Sequence, residues 1–132
     1  MLADACQTQG QLEFLTYYEG QRVLIVNNYN SLRLCYEDMM KSTSLGIDLE
    51  GRLKIGGSIN LIQIGCEETI YIIDIYQVTK LNKDENLLSL IVNVLKIAFL
   101  NKNIRKVFFD CKRDLEALHY ILGVGTQNVI DV

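Results

Sequence analysis

Apolar and polar positions alternate or recur along most of this chain with periods that separate strands from helices. Arg22-Val-Leu-Ile-Val26 is a short β-branched run, and Asn27 to Asn30 supplies turn chemistry after it. Leu32, Cys35, Tyr36, Met39 and Met40 then fall at i, i+3, i+4, i+7 and i+8, one face of a helix that Ser42-Thr-Ser44 closes. Three strands follow, at Leu45–Gly51, Ile59–Gly65 and Thr69–Ile75, separated by Lys54-Ile-Gly-Gly-Ser58 and Cys66-Glu-Glu68. Connections this short predict antiparallel hairpins, because a parallel return needs a longer crossover. Asp84-Glu85-Asn86 is a helix-start signal ahead of the stripe Leu87, Leu90, Ile91, Val94, Leu95, Ala98 and Phe99. That helix is also apolar at Leu88, Val92, Ile97 and Leu100, which predicts burial on more than one side or a partner. Arg105–Phe109 reads as a strand, Lys112–Leu122 as a helix stopped by Gly123, and Val129–Val132 as a last strand. The first eighteen residues carry little signal.

The predicted order is β-α-β-β-β-α-β-α-β, an α/β fold with a mixed sheet and covering helices. The reading divides the chain into an N-terminal extension, residues 1–21, and one domain, residues 22–132. A length of 132 residues suits one core, and 49% apolar residues fill it. The most apolar stretch, Leu87 to Leu100, is interrupted by Ser89, Asn93 and Lys96 and is too short for a membrane span. The N-terminus shows no basic and apolar leader pattern, so no secretory signal is expected. Cys6, Cys35, Cys66 and Cys111 form no CxxC pair, and with one His they cannot complete a zinc set. They read as reduced core thiols of an intracellular chain, cytosolic or nuclear, with the cytoplasmic location the one expected. A net charge of −3 excludes a whole-surface grip on nucleic acid but not a local one, and Arg105, Lys106, Lys112 and Arg113 cluster within nine residues.

The sharpest chemical feature is Gly46-Ile-Asp48-Leu-Glu50-Gly51. In a strand Asp48 and Glu50 share a face, since side chains alternate. Two carboxylates there repel and lose hydration unless a cation compensates, and oxygen ligands suit Mg²⁺ or Mn²⁺. The same pair would also suit the solvated face of an edge strand. A second cluster is Asp110-Cys-Lys-Arg-Asp114-Leu-Glu116, where Asp114 lies in the first turn of a helix and can lean over the sheet end toward Asp48. Asp110 reads as the helix N-cap, and Asp114 and Glu116 equally suit first-turn acids favoured by the helix dipole. His119, close to the core stripe, reads as a core or boundary residue.

From about Val23 onward the chain resembles the DEDD family of 3′–5′ exonucleases in its ribonuclease D-like branch. Gly46-Ile-Asp48-Leu-Glu50 resembles the first motif, and Ile59-Asn-Leu-Ile-Gln63-Ile with Tyr71-Ile-Ile-Asp74 the hairpin after it. Lys106-Val-Phe-Phe-Asp-Cys-Lys-Arg-Asp114-Leu-Glu-Ala-Leu118 resembles the second motif, and Asn128-Val-Ile-Asp131 the strand ahead of the third. The wording around Asp110–Asp114 and Gly123-Val124 is most similar to the germline exonuclease-domain branch, Egalitarian-like and piRNA-linked. The resemblance implies a ribonuclease H-like fold lacking the family's last helices. It implies that two Mg²⁺ or Mn²⁺ ions are held by carboxylates, here Asp48, Glu50 and Asp114, with Asp48 bridging both. Gly51 and Leu53 would lie near a 3′-terminal nucleotide, and Lys112 and Arg113 against phosphates of single-stranded RNA. Two departures stand out. The third motif, Tyr or His with an Asp four residues on, is not found before Val132, and Asp131 occupies a position that is mainly structural in the family. Phe109 stands where relatives commonly carry His. The resemblance therefore implies an RNA-binding module that does not cut, acting as a homodimeric adaptor with protein partners in small-RNA biogenesis. The alternative is an active Mg²⁺-dependent exoribonuclease completed by further chain.

Overall fold

The computed structural model describes residues 13–18 and 20–132. Its strands are β1 (Glu13–Tyr18), β2 (Gln21–Val26), β3 (Ser44–Arg52), β4 (Ser58–Gly65), β5 (Thr69–Asp74), β6 (Arg105–Phe108) and β7 (Val129–Asp131). The helices are α1 (Tyr29–Lys41), α2 (Glu85–Phe99) and α3 (Lys112–Ala117). All strands join one seven-stranded sheet in the order β1-β2-β5-β4-β3-β6-β7. The three central strands pair antiparallel as hairpins, and β2–β5, β3–β6 and β6–β7 pair parallel. This is the mixed α/β sheet that the pattern predicts. β1, in the stretch read as an extension, adds an antiparallel edge beside β2. Cys6 lies outside the described residues.

Sequence chemistry sets the helix ends. Asn28 caps α1 by accepting from the Ser31 N–H at 2.9 Å, and Ser31 Oγ accepts in return from the Asn28 N–H at 3.2 Å. Asp84 caps α2, accepting from the Leu87 N–H at 3.0 Å. Two turns of wider, π-type helix were not foreseen, at Gln77–Leu81 and Leu118–Leu122. The second replaces the lower half of the helix expected over 112–122. Gly123, left-handed at φ 69°, stops it as predicted.

Alternation gives the sheet two unlike faces. Leu24, Val26, Leu45, Ile47, Leu49, Ile62, Ile64, Tyr71, Ile73 and Phe108 are buried and fall in register with one another. They share one core with Leu32, Cys35 and Met39 of α1 and with Leu87, Ile91, Val94, Leu95, Ala98 and Phe99 of α2. The opposite face carries Gly46, Asp48 and Glu50 of β3, with Gln63, Gly65, Ile72 and Val107 beside them. Its apolar residues Ile25, Leu61, Ile70, Ile72 and Val107 are only half-buried and stand apart from the core. On α2, Ile97 and Leu100 remain 44% exposed, so that helix is not covered all round.

Lys106 corrects one expectation. It belongs to no surface patch: its side chain is fully buried at the start of β6. Its Nζ donates to the carbonyls of Asn101 (2.6 Å), Ile104 (2.6 Å) and Gln127 (3.0 Å), using all three ammonium protons. Burial lowers its pKa. It ties together the loops either side of β6. Cys35 and Cys66 are buried free thiols, as expected, and burial raises both, Cys66 to about 11.

Candidate carboxylate site and nucleic-acid groove

The parallel pairing of β3 with β6 builds the site. Asp48, at the middle of β3, and Glu50, two residues on, project from its open face, both exposed, as the two-residue spacing predicts. β6 delivers the chain to α3 beside them, and Asp114 sits in the first turn of that helix. Asp114 is 7% exposed. Burial first, and the negative charge of Asp48 next, raise its carboxyl to about 6, with smaller upward pushes from Asp110 and Glu50. A backbone hydrogen bond from Leu49, the residue between the two β3 acids, opposes them. The sequence thus brings its three predicted acids into one electrostatic unit.

The start of α3 is held differently from the prediction. Asp110 is not the N-cap; it adopts a left-handed backbone, φ 54°, that turns the chain off β6. Cys111 occupies the cap without a side-chain cap bond. Its N–H instead donates to Asp131 Oδ1 at 3.0 Å, so β7 fixes the turn that carries Asp114. Asp131 has the structural role that the resemblance implies.

At Gly51 a bulge shifts the β3–β4 register, and Gly51 lies at φ 151°. A Cβ there would collide with the Ser58 carbonyl, so only glycine lets the hairpin turn this closely. The hairpin then faces α3 across an open groove of about 790 Å³ lined by Gly51, Arg52, Leu53, Lys54, Ile55, Lys112, Arg113 and Glu116. All four residues that the resemblance assigned to nucleic acid line it. Arg52 and Lys54 carry no expected role; their signal was the cation–apolar alternation Arg52-Leu-Lys-Ile55, of which only Leu53 was assigned to nucleic acid and Lys54 onward to the strand break. Arg52, Lys54, Lys112 and Arg113 are exposed, and none makes an ion pair among the described residues. Arg105 does not join them: it pairs with Ser44, four residues back from Asp48, roughly 13 Å away at the strand's rise. His119 is exposed and packs edge-on against Tyr120 at 4.7 Å, so it is no core residue.

The donor chemistry fits a hard divalent cation: carboxylate oxygens alone, one of them on a carboxyl that burial and the Asp48 charge raise to about 6. Among the described residues no three His, Cys, Asp or Glu side chains close into a ready metal cage. Mg²⁺ commonly keeps several waters and takes one or two carboxylates together with substrate phosphate, which suits an open arrangement of this kind.

Comparison with known proteins agrees with this fold. None of the curated proteins matches the sequence. Among solved structures, ribonuclease D of Trypanosoma brucei in complex with RNA U12 superposes with a TM-score of 0.70 at 25% identity, over 83% of this chain and 37% of that one. Escherichia coli RNase D, an exoribonuclease involved in structured RNA processing, shares the fold with a TM-score of 0.64 at 21% identity, over 89% of this chain and 27% of that one. The EXO domain of Aedes aegypti Nibbler does so with a TM-score of 0.67 at 18% identity, over 90% and 56%. The chain therefore spans well under half the length of the ribonuclease D structures it resembles. The family model described as 3′-5′ exonuclease matches residues 23–132. The chain belongs to the 3′-5′ exonuclease domain family.

Proposed function

We propose that this chain is an RNA-binding module on the exonuclease fold that engages a single-stranded 3′ end through a divalent cation and does not cut it within these 132 residues. The observation that carries the reading is the coupling of Asp114 to Asp48 and Glu50 beside a groove bearing four unpaired cations. Asp48, Glu50 and Asp114 would hold Mg²⁺ or Mn²⁺, and Asp48, nearest in influence to Asp114, is placed to share two ions. When bound, such ions neutralise phosphate charge and lower the pKa of water. Arg52, Lys54, Lys112 and Arg113 would contact phosphates, with Gly51 and Leu53 near the terminal nucleotide. Phe109, where relatives commonly carry His, supplies no polar group beside these carboxylates, which favours holding over cutting. The resemblance to the germline branch supports a cytoplasmic adaptor, acting as a homodimer with partners in piRNA biogenesis.

A second reading is an active Mg²⁺-dependent 3′–5′ exoribonuclease, with the missing carboxylate supplied from elsewhere. The intact trio Asp48, Glu50 and Asp114 favours it, because clustered carboxylates destabilise a fold that has no use for them. The test is incubation of 5′-labelled, 3′-extended single-stranded RNA with Mn²⁺, with Asp48→Ala/Glu50→Ala beside it. The proposal expects binding that the double variant weakens and RNA that stays intact. A shortening ladder abolished by the double variant would establish the second reading.

A further inference from the structure

Phe109 is the most exposed large apolar side chain among the described residues, at 80%. Its place in the sheet explains why. Ile47 of β3 pairs with Phe108 of β6, and both are buried. Asp48 is the next residue of β3 after that last pair, and Phe109 is the first residue after β6 ends, so the chain leaves the sheet at Phe109 beside the position of Asp48. The ring is not carried on a loose loop. Val132 N–H donates to the Phe108 carbonyl at 2.8 Å, Asp110 turns the chain at φ 54°, and Asp131 holds Cys111 at 3.0 Å. Phe109 thus stands at the end of β6, next to the strand that carries Asp48 and Glu50, and the cationic groove between the β3–β4 hairpin and α3 begins at Gly51, one residue past Glu50.

We propose that Phe109 is a stacking platform for a base of the nucleic acid whose phosphate lies at Asp48. This rests on the reading that the site holds single-stranded RNA. A phenyl ring has no hydrogen-bonding group, so it cannot read a base edge. It offers a π-face that every base can cover, burying area that Phe109 otherwise leaves in water. The platform would thus be tolerant of sequence and would favour purines through their larger rings. It would set where the strand lies relative to the carboxylates, which makes Phe109 a positioning residue.

The test uses single-stranded RNA with 2-aminopurine at the 3′-terminal or the penultimate base and phosphorothioate linkages, so that binding is read without cutting. One probe is expected to lose fluorescence on binding the unsubstituted protein. Phe109→Ala should restore that fluorescence and weaken binding about 5- to 150-fold, the range that corresponds to one base–aromatic stack. Phe109→Trp should keep both signals, and Phe109→Leu should behave like Phe109→Ala, since it retains bulk but no ring. Melting temperatures of the variants check that the fold is intact. Phe109→Ala with unchanged quenching and affinity would overturn the proposal, as would Phe109→Trp failing alongside it. Failure of the unsubstituted protein to bind either probe would instead overturn the RNA reading on which the proposal stands.

Discussion

Replacing Asp114 by Asn should stabilise this fold in the absence of metal, increasingly as pH rises above about 4. In the folded chain the Asp114 carboxyl rises from the usual 3.8 to about 6, because burial and the Asp48 charge disfavour its ionised form. A rise of that size corresponds to up to about 3 kcal/mol. Well below pH 3.8 the group is protonated in the folded and unfolded chains alike, and no penalty exists. Between pH 4 and 6 the folded state keeps a proton that the unfolded state has released, so stability falls as pH rises through this window. Above pH 6 the full penalty is present. Asn has nearly the same shape, can accept the Leu49 hydrogen bond and carries no charge. Asp114→Asn should therefore come within about 0.5 kcal/mol of the unsubstituted protein at pH 4 and exceed it by up to about 3 kcal/mol at pH 8 in EDTA. At roughly 4 °C per kcal/mol for a chain of this size, that is a gap of about 10 °C in Tm. Thermal unfolding from pH 4 to 8 measures it. Equal melting at every pH, or a less stable variant at pH 8, would refute the argument that burial and the Asp48 charge disfavour ionised Asp114 in the folded chain.

Other expectations follow from the same geometry. Lys106→Met should destabilise by about 3–5 kcal/mol in urea unfolding, because the carbonyls of Asn101, Ile104 and Gln127 lose a buried cationic donor. Gly51→Ala should cost about 1–3 kcal/mol by the same measurement, since a side chain at φ 151° meets the Ser58 carbonyl, and it should weaken RNA binding by displacing the hairpin. Cys35 and Cys66 should resist iodoacetamide in the folded protein at pH 8 and react after unfolding, as mass spectrometry of the digested chain would show, because burial raises both thiols.

What the sequence made legible was whatever depends on period and local chemistry. The alternation through Gly46–Gly51 placed Asp48 and Glu50 on one face, and the short breaks around Ile59–Gly65 forced hairpins. Asp84 announced α2, and Gly123 its own stop. The motif order then joined Asp114 to the β3 acids, which lie more than sixty residues earlier. What stayed hidden depends on long-range contact. Lys106 looks like one of a run of surface cations; only the carbonyls converging from Asn101, Ile104 and Gln127 make it a core residue. Asp110 has the composition of a cap, but the turn off β6 demands a left-handed residue there, and Asp131 from another strand takes over the bond at the helix start. β1 escaped notice because an edge strand is defined by its neighbour β2 rather than by its own pattern. Arg52 and Lys54 read as loop residues until the bulge at Gly51 turned their hairpin toward α3.

The central claim is that Asp48, Glu50 and Asp114 form one divalent-cation site. Titration calorimetry of Mn²⁺ into the metal-free chain at pH 7.5 tests it most directly, with Asp48→Asn/Glu50→Gln as the comparison. The account predicts saturable binding, with release of any proton still held at Asp114, and loss of that binding in the double variant. Equal, unsaturable heats from both proteins would contradict it and leave the three carboxylates as an acidic patch without a metal.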